Sequence, residues 1–295
     1  MMHSPVSSPY LTPFKKAELP KNFNTQPPEN PPGNKACKKS LRKEIKQLDE
    51  LQRRLYAEDR RSLLLIFQAM DAAGKDSTIR AVMRGVDPSG CQVFAFKQPS
   101  KEELDHDFLW RTTRRLPERG RIGIFNRSYY EETLVVRVHP EYLQSQRIHI
   151  PDNLEELWQQ RFEAIRQHER HLAENGTIIL KFWLNVSAEE QRRRFLSRLE
   201  EPEKHWKFSA GDVEERRHWK QYMQAYRETL AATSRPWAPW YAIPADNKPF
   251  MRWQVAKLVR KTLQRMDPQY PAVDEEAKQQ FGQMRQRLTK CDRED

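Results

Sequence analysis

The stretch from Leu63 to Arg80, LLLIFQAMDAAGKDSTIR, constrains the fold of this chain more than any other part of the sequence. It begins with five large apolar residues in a row, a pattern that is typical of a strand buried on both faces of a parallel sheet. Small residues follow, and Lys75 begins a predicted helix that continues through Arg80. A strand, a tight loop and a helix N-terminus in this order form a cradle for an anion, because free N–H groups and the positive end of the helix dipole face the loop.

The loop is similar to the phosphate-binding motif G-x-x-x-x-G-K-[ST], with two departures from it. Ala69 occupies the first glycine position and Asp76 occupies the Ser/Thr position. The alternative is a strand–turn–helix in which the Gly-Lys pair arose by chance, but the strand before the loop and the helix after it favour phosphate binding. The predicted phosphate-binding residues of the loop are Ala72, Ala73, Gly74, Lys75, Asp76 and Ser77.

Asp71 lies inside this loop, where a carboxylate would repel a phosphate unless a divalent cation lay between them. Mg²⁺ is commonly bound through one or two carboxylates together with substrate phosphates. The sequence therefore predicts that Asp71 is a metal ligand and that Mg²⁺ is the cofactor.

Composition narrows the class of partner. The chain has 295 residues, and its 52 Lys and Arg against 41 Asp and Glu give a formal net charge of +11. This excess favours a polyanionic partner, such as a nucleic acid, an anionic membrane or a phosphate polymer, although solubility alone is an alternative explanation. The three cysteines have no paired spacing, so neither a disulfide framework nor a zinc site is indicated. No segment reaches the apolar length of a membrane span, and the N-terminus lacks the apolar core of a signal peptide, so we expect a cytoplasmic protein.

The order of the segments predicts the fold class. Four further apolar segments predict strands, at residues 91–97, 121–125, 177–184 and 240–244. Helices are expected between them, and this alternation is typical of an α/β domain with a five-stranded parallel sheet. Residues 1–33 contain eight prolines and predict an extended arm that is disordered or lies across a neighbour. Residues 34–270 form the predicted main domain, and residues 271–295 form a charged helix or tail whose apolar residues dock on the body or on a second subunit.

Capping patterns predict where several helices begin. The patterns consist of a polar N-cap with a glutamate three residues later, and they are Ser100 with Glu103, Asp152 with Glu155, and Ser187 with Glu190. The first of these helices is predicted to run to about residue 115. A later helix is predicted to run without a break from about residue 209 to residue 233.

Polar residues follow the third predicted strand at the edge of the sheet where open parallel sheets bind their ligands. Asn126 and Arg127 come first, and Glu131 lies four residues further on. The guanidinium of Arg127 offers two parallel donors to phosphate oxygens. A turn residue at position 126 and a surface ion pair at position 127 are the alternatives, but the nearby phosphate loop favours a functional role.

Residues 187–235 predict a helical hairpin that closes over the site as a lid. Arg194 and Arg198 lie four residues apart and therefore share one helix face. Pro202 breaks the helix, and Lys204 and Lys207 belong to the basic loop that follows. These four cations are predicted phosphate ligands, and a solvated charged hairpin is the alternative.

Two further groups of polar residues are weaker candidates for a functional site. His106 with Asp107 offers an acid–base or ribose contact, but such a pair is more often an ordinary helix surface. His168, His171 and Glu174 have metal-ligand spacing, but nothing near them in the sequence completes a site, so we interpret them as helix surface.

Four sequence blocks occur in one order: QAMDAAGKDSTIR, FKQPSKEELDHDFLWR, GRIGIFNRSYYEETLVVRVHPE and RLEEPEKHWKFSAGD. Together they resemble the polyphosphate kinase 2 family, and the resemblance runs from about residue 35 to about residue 253. The segment from Asn126 to Tyr130 is similar to the branch of the family, class III, that acts on nucleoside mono- and diphosphates. The resemblance implies a three-layer α/β/α P-loop kinase fold with a helical lid.

The resemblance also implies an activity: Mg²⁺-assisted transfer of a phosphoryl group from polyphosphate to AMP, giving ADP, and to ADP, giving ATP. Asp71, Lys75 and Arg127 are then the predicted catalytic residues, and Asn126, Arg127 and Glu131 the nucleotide-binding ones. Asn126 stands where many P-loop kinases have Asp, which leaves Asp71 as the metal-side carboxylate.

Two other functions are also compatible with the sequence. An ATP-dependent nucleoside monophosphate kinase would share the loop and the lid, and a non-catalytic polyanion or nucleic-acid binder would share the charge. No nucleic-acid-binding motif is present, so we expect polyphosphate and adenine nucleotides, with guanine nucleotides as a further option, rather than nucleic acid or a membrane. The proline-rich arm and the apolar helices predict a homo-oligomer, either a dimer or a tetramer.

Overall fold

The fold is built on five parallel strands, as the sequence predicts. A computed structural model describes residues 4–15 and 19–291. The strands are β1 (Ser62–Gln68), β2 (Cys91–Ala95), β3 (Ile122–Asn126), β4 (Thr177–Asn185) and β5 (Trp240–Pro244). They lie in the order β2-β3-β1-β4-β5, and every neighbouring pair is parallel. Because β1 lies at the centre, the loop that follows it opens in the middle of the sheet edge.

Helices cover both faces of the sheet, and this confirms the predicted three-layer α/β/α fold. The longer helices are α1 (Asn34–Glu58), α2 (Lys75–Val82), α6 (Leu154–Glu174), α7 (Ala188–Glu200), α9 (Trp219–Thr233), α10 (Lys248–Met266) and α11 (Glu275–Cys291). The short ones are α3 (Lys101–Leu104), α4 (Trp110–Thr113), α5 (Val135–Val138) and α8 (Ala210–Glu214). Helices α1 and α2 pack on α10, whereas α6 packs on β4 and α9. All residues of β1 and β4 are buried, which explains their continuous apolar sequences.

Two predicted helices are interrupted. The helix predicted for residues 101–115 is divided into α3 and α4, because the Asp107 carboxylate accepts the N–H of Leu109 and stabilises a turn between them. The helix predicted for residues 209–233 is divided by a 3₁₀ turn, Glu215–His218, whose residues offer no apolar side chain to hold an α-helix on the body.

The predicted caps are close to those observed. The capping box of Ser100 and Glu103 is present with both of its hydrogen bonds. The box predicted for Asp152 and Glu155 is wrong, because helix α6 begins after Asn153, whose side chain accepts the N–H of Glu155. Ser187 caps α7, but its own N–H donates to Asp246 instead of Glu190.

The proline-rich arm packs on its own chain. Leu11 forms an antiparallel bridge with Tyr241, and the N–H of Ala242 donates to the carbonyl of Tyr10. The described part of the arm therefore covers the edge strand β5, where unpaired backbone groups would otherwise be open to another chain. This position differs from the disordered or neighbour-bound arm expected from the sequence. Residues 1–3 and 16–18 of the arm and 292–295 of the tail lie outside the described residues.

The C-terminal helix α11 has an exposed apolar face. The side chains of Phe281, Met284 and Leu288 are all exposed. None of the described helices is long and apolar enough to cross a membrane. The division of the chain at residues 33 and 270 stays a prediction.

A buried ion pair lies behind the sheet edge. The Lys181 ammonium in β4 contacts the Glu169 carboxylate in α6 at 2.6 Å, and neither side chain has any exposed surface. Tyr129 and Tyr130 donate their hydroxyls to the same carboxylate at 2.9 and 2.8 Å. Burial raises the pKa of Glu169 and lowers the pKa of Lys181 to about 8.

Removing one member of this pair leaves the other charge buried without a partner. We expect Glu169→Leu to lower the free energy of unfolding by about 3–5 kcal/mol, measured by urea denaturation. The double variant Glu169→Leu/Lys181→Met removes both charges and is expected to recover most of that loss. A single variant within about 1 kcal/mol of the native protein would contradict this account.

Candidate active site

The site lies at the carboxyl edge of the sheet, where the loop after β1 meets the turn after β3. Ala72, Gly74 and Arg127 all have positive φ angles, of 59°, 108° and 64°. Gly74 permits this conformation without strain, whereas a Cβ atom there would lie 3.3 Å from Ser77 Oγ. At Ala72 and Arg127 the same conformation costs about 1–2 kcal/mol each, and such strain is typical of functional loops.

Lys75 lies inside the loop that it follows. Its Nζ donates to the carbonyl of Ala69 at 2.7 Å and lies 3.9 Å from Asp71 Oδ1. Burial and the nearby charge of Arg127 lower the pKa of Lys75, while Asp71, Glu131 and Asp76 oppose that shift. The ammonium is thus held by the Ala69 carbonyl and lies near the Asp71 carboxylate, with donors left for an anion.

Arg127 bridges two of these carboxylates. Its Nη2 donates to Asp71 Oδ1 at 2.7 Å, and its Nη1 donates to Glu131 Oε2 at 3.1 Å. The charges of Glu131 and then Asp71 hold the pKa of Arg127 above its ordinary value. Asp71 Oδ2 accepts no hydrogen bond from any described residue, and the side chain is partly exposed. Asp71 therefore has an oxygen available to a cation, whereas the guanidinium is already oriented towards the mouth of the loop.

Asn126 and Asp76 form a second polar contact across the mouth. Asn126 Nδ2 donates to Asp76 Oδ1 at 2.7 Å, and this contact joins the end of β3 to the first turn of α2. The sequence placed both residues in the site, but it gave no indication that they bind each other.

Arg194 lies beneath the loop rather than on an open lid face. Its guanidinium donates to the carbonyls of Ala72 and Ala73, and to those of Ala245 and Asp246 after β5. Its Nε donates to Glu190 at 2.7 Å. The side chain is only 5% exposed, and burial lowers the pKa of its guanidinium. With five hydrogen bonds made inside the protein, Arg194 in this structure supports the loop instead of facing its mouth.

Gln191 is a contact of the loop that sequence reasoning missed. Its Nε2 donates to the carbonyl of Asp71 at 3.0 Å, and its Oε1 accepts from Arg216 at 2.5 Å. Gln191 lies three residues before Arg194 and therefore on the same helix face. This spacing is the feature of the sequence that could have predicted the contact. Gln191 therefore joins α7 to the phosphate loop and also holds the 3₁₀ turn that precedes α9.

The other lid cations have local partners. Arg198 Nη1 donates to Asp212 at 3.2 Å, Lys204 Nζ donates to Ser197 Oγ at 2.9 Å, and Lys207 Nζ lies 4.8 Å from the centre of the Trp206 ring. Burial raises the pKa of Asp212, and the charge of Asp71 adds to that shift. The sequence analysis missed Asp212. The structure brings neither Lys204 nor Lys207 into contact with the loop.

The weaker candidates fit an ordinary surface. His106 stacks on Trp110 and contacts the carbonyl of Glu102, whereas His168 packs edge-on against Tyr129. The described residues contain no group of three or more His, Cys, Asp or Glu side chains arranged to hold a metal ion.

The buried position of Arg194 predicts that its replacement lowers the stability of the protein. Lysine cannot reach carbonyls on two sides at once, so Arg194→Lys is expected to lower the free energy of unfolding by about 3 kcal/mol. Arg193→Lys is the matched control, because Arg193 shares the Glu190 carboxylate but is 69% exposed. The control is expected to stay within about 0.5 kcal/mol of the native protein in urea denaturation. Equal losses in the two variants would contradict the supporting role of Arg194.

Comparison with known proteins is consistent with this geometry. The profile of the family described as Polyphosphate kinase 2 (PPK2) matches residues 33–271. A protein of Rhodopseudomonas palustris named ADP-polyphosphate phosphotransferase is 54% identical over 251 residues, which cover 85% of this chain and 87% of that protein. A protein of Meiothermus ruber named AMP/ADP-polyphosphate phosphotransferase is 44% identical over 239 residues, which cover 81% of this chain and 85% of that protein.

A solved structure gives the same result. The crystal structure of polyphosphate kinase 2 from Arthrobacter aurescens TC1 superposes with a TM-score of 0.79 at 36% sequence identity, covering 94% of this chain and 98% of that one. The match of the profile to most of the chain, the named relatives and the shared fold agree with the resemblance seen in the four sequence blocks. This chain belongs to the polyphosphate kinase 2 family.

Proposed function

We propose that this protein is a polyphosphate-dependent kinase that transfers a phosphoryl group from inorganic polyphosphate to AMP and ADP. The observation that carries the proposal is the convergence of Lys75, Arg127 and Asp71 at the mouth of the loop, with Arg127 Nη2 2.7 Å from Asp71 Oδ1. The names of the relatives from Rhodopseudomonas palustris and Meiothermus ruber support these substrates.

The donor phosphate binds in the cradle formed by residues 72–77. Phosphoryl transfer depends mainly on positioning and on neutralisation of charge, and the protein needs few other devices. Backbone N–H groups at the start of α2 and the Lys75 ammonium supply both, because the helix dipole adds to the charge of the side chain. The net charge of +11 favours the approach of a long polyanion.

The acceptor nucleotide binds on the side of Asn126, Arg127 and Glu131. When phosphates enter, Arg127 can exchange part of its contact with Asp71 and Glu131 for phosphate oxygens, since all three are partly exposed. A guanidinium that is already oriented by two carboxylates loses little further freedom on binding. The phosphate of AMP or ADP is ionised at neutral pH, so the reaction needs no strong general base.

Mg²⁺ fits the donor set at the mouth of the loop. Asp71 would hold it through Oδ2, which has no hydrogen-bond partner among the described residues. When bound, the ion supplies neutralisation of the charge shared between donor and acceptor oxygens. Arg127 would keep Asp71 oriented for this role.

The lid hairpin excludes water and adds charge over the donor chain. Its base is fixed by Arg194 and Gln191, whereas Arg198, Lys204 and Lys207 lie towards the tip and have mainly local partners. We propose that these three cations contact the donor when the lid closes. Guanine nucleotides as further acceptors, a homo-oligomeric assembly and a cytoplasmic location also remain proposals, and the exposed apolar face of α11 supports the assembly.

The decisive assay uses purified protein, Mg²⁺ and polyphosphate with AMP, ADP, GMP or GDP in separate reactions. Formation of ADP from AMP and of ATP from ADP is expected. A parallel reaction with ATP and AMP but no polyphosphate detects an ATP-dependent monophosphate kinase. Absence of product with polyphosphate, together with turnover in the parallel reaction, would replace the proposed function by that alternative.

Removing the central charges should reduce turnover strongly. We expect Lys75→Met and Arg127→Lys to lower kcat/KM for polyphosphate by about 10²–10³-fold, because each removes charge or geometry that stabilises the transition state. Lys278→Met is the control, since Lys278 is exposed on α11 and, among the described residues, forms an ion pair with Glu275 alone. Retention of native kcat/KM by Lys75→Met would contradict the role of the loop.

A further inference from the structure

P-loop enzymes usually have a carboxylate at the end of a strand and a neutral polar residue directly after the loop lysine. In this site the carboxylate follows the lysine and the neutral polar residue ends the strand. In those enzymes a Ser or Thr follows the loop lysine and binds Mg²⁺, and a strand-end aspartate also holds the ion. Here Asp76 follows Lys75, and Asn126 ends β3. The two side chains are in direct contact, with Asn126 Nδ2 donating to Asp76 Oδ1 at 2.7 Å. Both arrangements contain one carboxylate and one neutral polar group.

We propose that Asp76 is a second carboxylate ligand of the divalent cation, beside Asp71, and that Asn126 is the positioning residue that orients it. The proposal rests on the proposed function, because the cation accompanies the phosphates of the substrates. The carboxylate that other P-loop enzymes have at the end of a strand is thus provided here by the first turn of α2.

The contacts of Asp76 leave room for a ligand. The amide of Asn126 occupies Oδ1, and Oδ2 has no hydrogen-bond partner among the described residues. The side chain is exposed and, with Asn126 and Arg80, lines an open groove beside α2. Asp76 directly follows Lys75, and the Lys75 ammonium lies 3.9 Å from Asp71 Oδ1. Asp76 is therefore the chain neighbour of the residue whose side chain contacts Asp71.

A simpler explanation of Asp76 is stabilisation of the helix dipole, since it lies in the first turn of α2. That role requires the charge but no metal, and it does not explain the hydrogen bond from Asn126 to Asp76. An asparagine that donates to the carboxylate fixes its orientation, as hydrogen-bonding partners of metal ligands do. An experiment that measures metal binding directly separates the two explanations.

The first test measures Mn²⁺ binding to the nucleotide-free protein by the electron paramagnetic resonance signal of the free ion. Asp76→Asn keeps the size of the side chain and the acceptor for Asn126 but removes the charge, and we expect about ten-fold weaker binding. Asp105→Asn is the control, because Asp105 is half-exposed and pairs with Arg147 away from the loop. The control is expected to bind Mn²⁺ as the native protein does.

The second test exchanges the two residue types. Asp76→Ser alone should weaken Mn²⁺ binding, and Asn126→Asp alone should disturb it by placing two carboxylates at hydrogen-bond distance. The double variant Asp76→Ser/Asn126→Asp recreates the usual arrangement of P-loop enzymes and is expected to recover most of the affinity. The Mg²⁺ concentration that gives half-maximal turnover should follow the same order.

Either of two results would overturn the proposal: native Mn²⁺ affinity in Asp76→Asn, or a double variant as weak as Asp76→Ser. Urea denaturation of each variant separates a loss of folding from a loss of binding. Because Mn²⁺ binding is measured without donor or acceptor, these results remain decisive even if the protein produces no ATP from polyphosphate.

Discussion

A single buried guanidinium, that of Arg194, joins three segments that are distant in sequence. It contacts the carbonyls of the phosphate loop, the carbonyls after β5, and a carboxylate on its own helix α7. A buried cation is costly unless its hydrogen bonds are complete, and here five acceptors surround it. The loop conformation, with the positive φ of Ala72, depends on such support. The same contacts fix the base of the lid, so that any motion of the lid must take place towards its tip.

Above this support, each cation of the site is paired with a carboxylate before any substrate binds. Lys75 and Arg127 face Asp71, Glu131 and Asp76, and each cation has a carboxylate within 4 Å. An empty site with unpaired cations would be destabilised by their repulsion and desolvation, whereas paired cations keep fixed orientations. A phosphate chain can compete for these cations because it brings several charges at once. The carboxylates then require a partner of their own, and a divalent cation at the mouth meets that requirement.

Much of this arrangement could be predicted from the sequence, for identifiable reasons. The five strands are visible because parallel strands buried on both faces leave continuous apolar runs, as in β1 and β4. The loop is visible because Gly74 and Lys75 lie between a strand and a helix. The inward direction of Arg194 could not be predicted, since its acceptors lie about 50 and 120 residues away and backbone carbonyls leave no mark in the sequence. The contact between Gln191 and Asp71, the Asp107 turn and the return of the arm to β5 depend on tertiary structure in the same way.

The core behind the site explains how Arg127 keeps an unfavourable backbone conformation. Its N–H donates to the carbonyl of Phe67 at the end of β1, and two and three residues later the Tyr129 and Tyr130 hydroxyls donate to Glu169. The chain is thus anchored on both sides of Arg127, once by the sheet and once by a buried carboxylate that Lys181 neutralises. If apolar residues replaced the Lys181–Glu169 ion pair, the protein would be as stable or more stable. Stability of the fold therefore does not explain why the ion pair is present. A carboxylate oxygen that accepts both tyrosine hydroxyls does give a reason, because apolar side chains would leave the turn free to relax and Arg127 free to leave Asp71. The geometry of the site is therefore determined by polar contacts in the core as well as by the residues at its mouth.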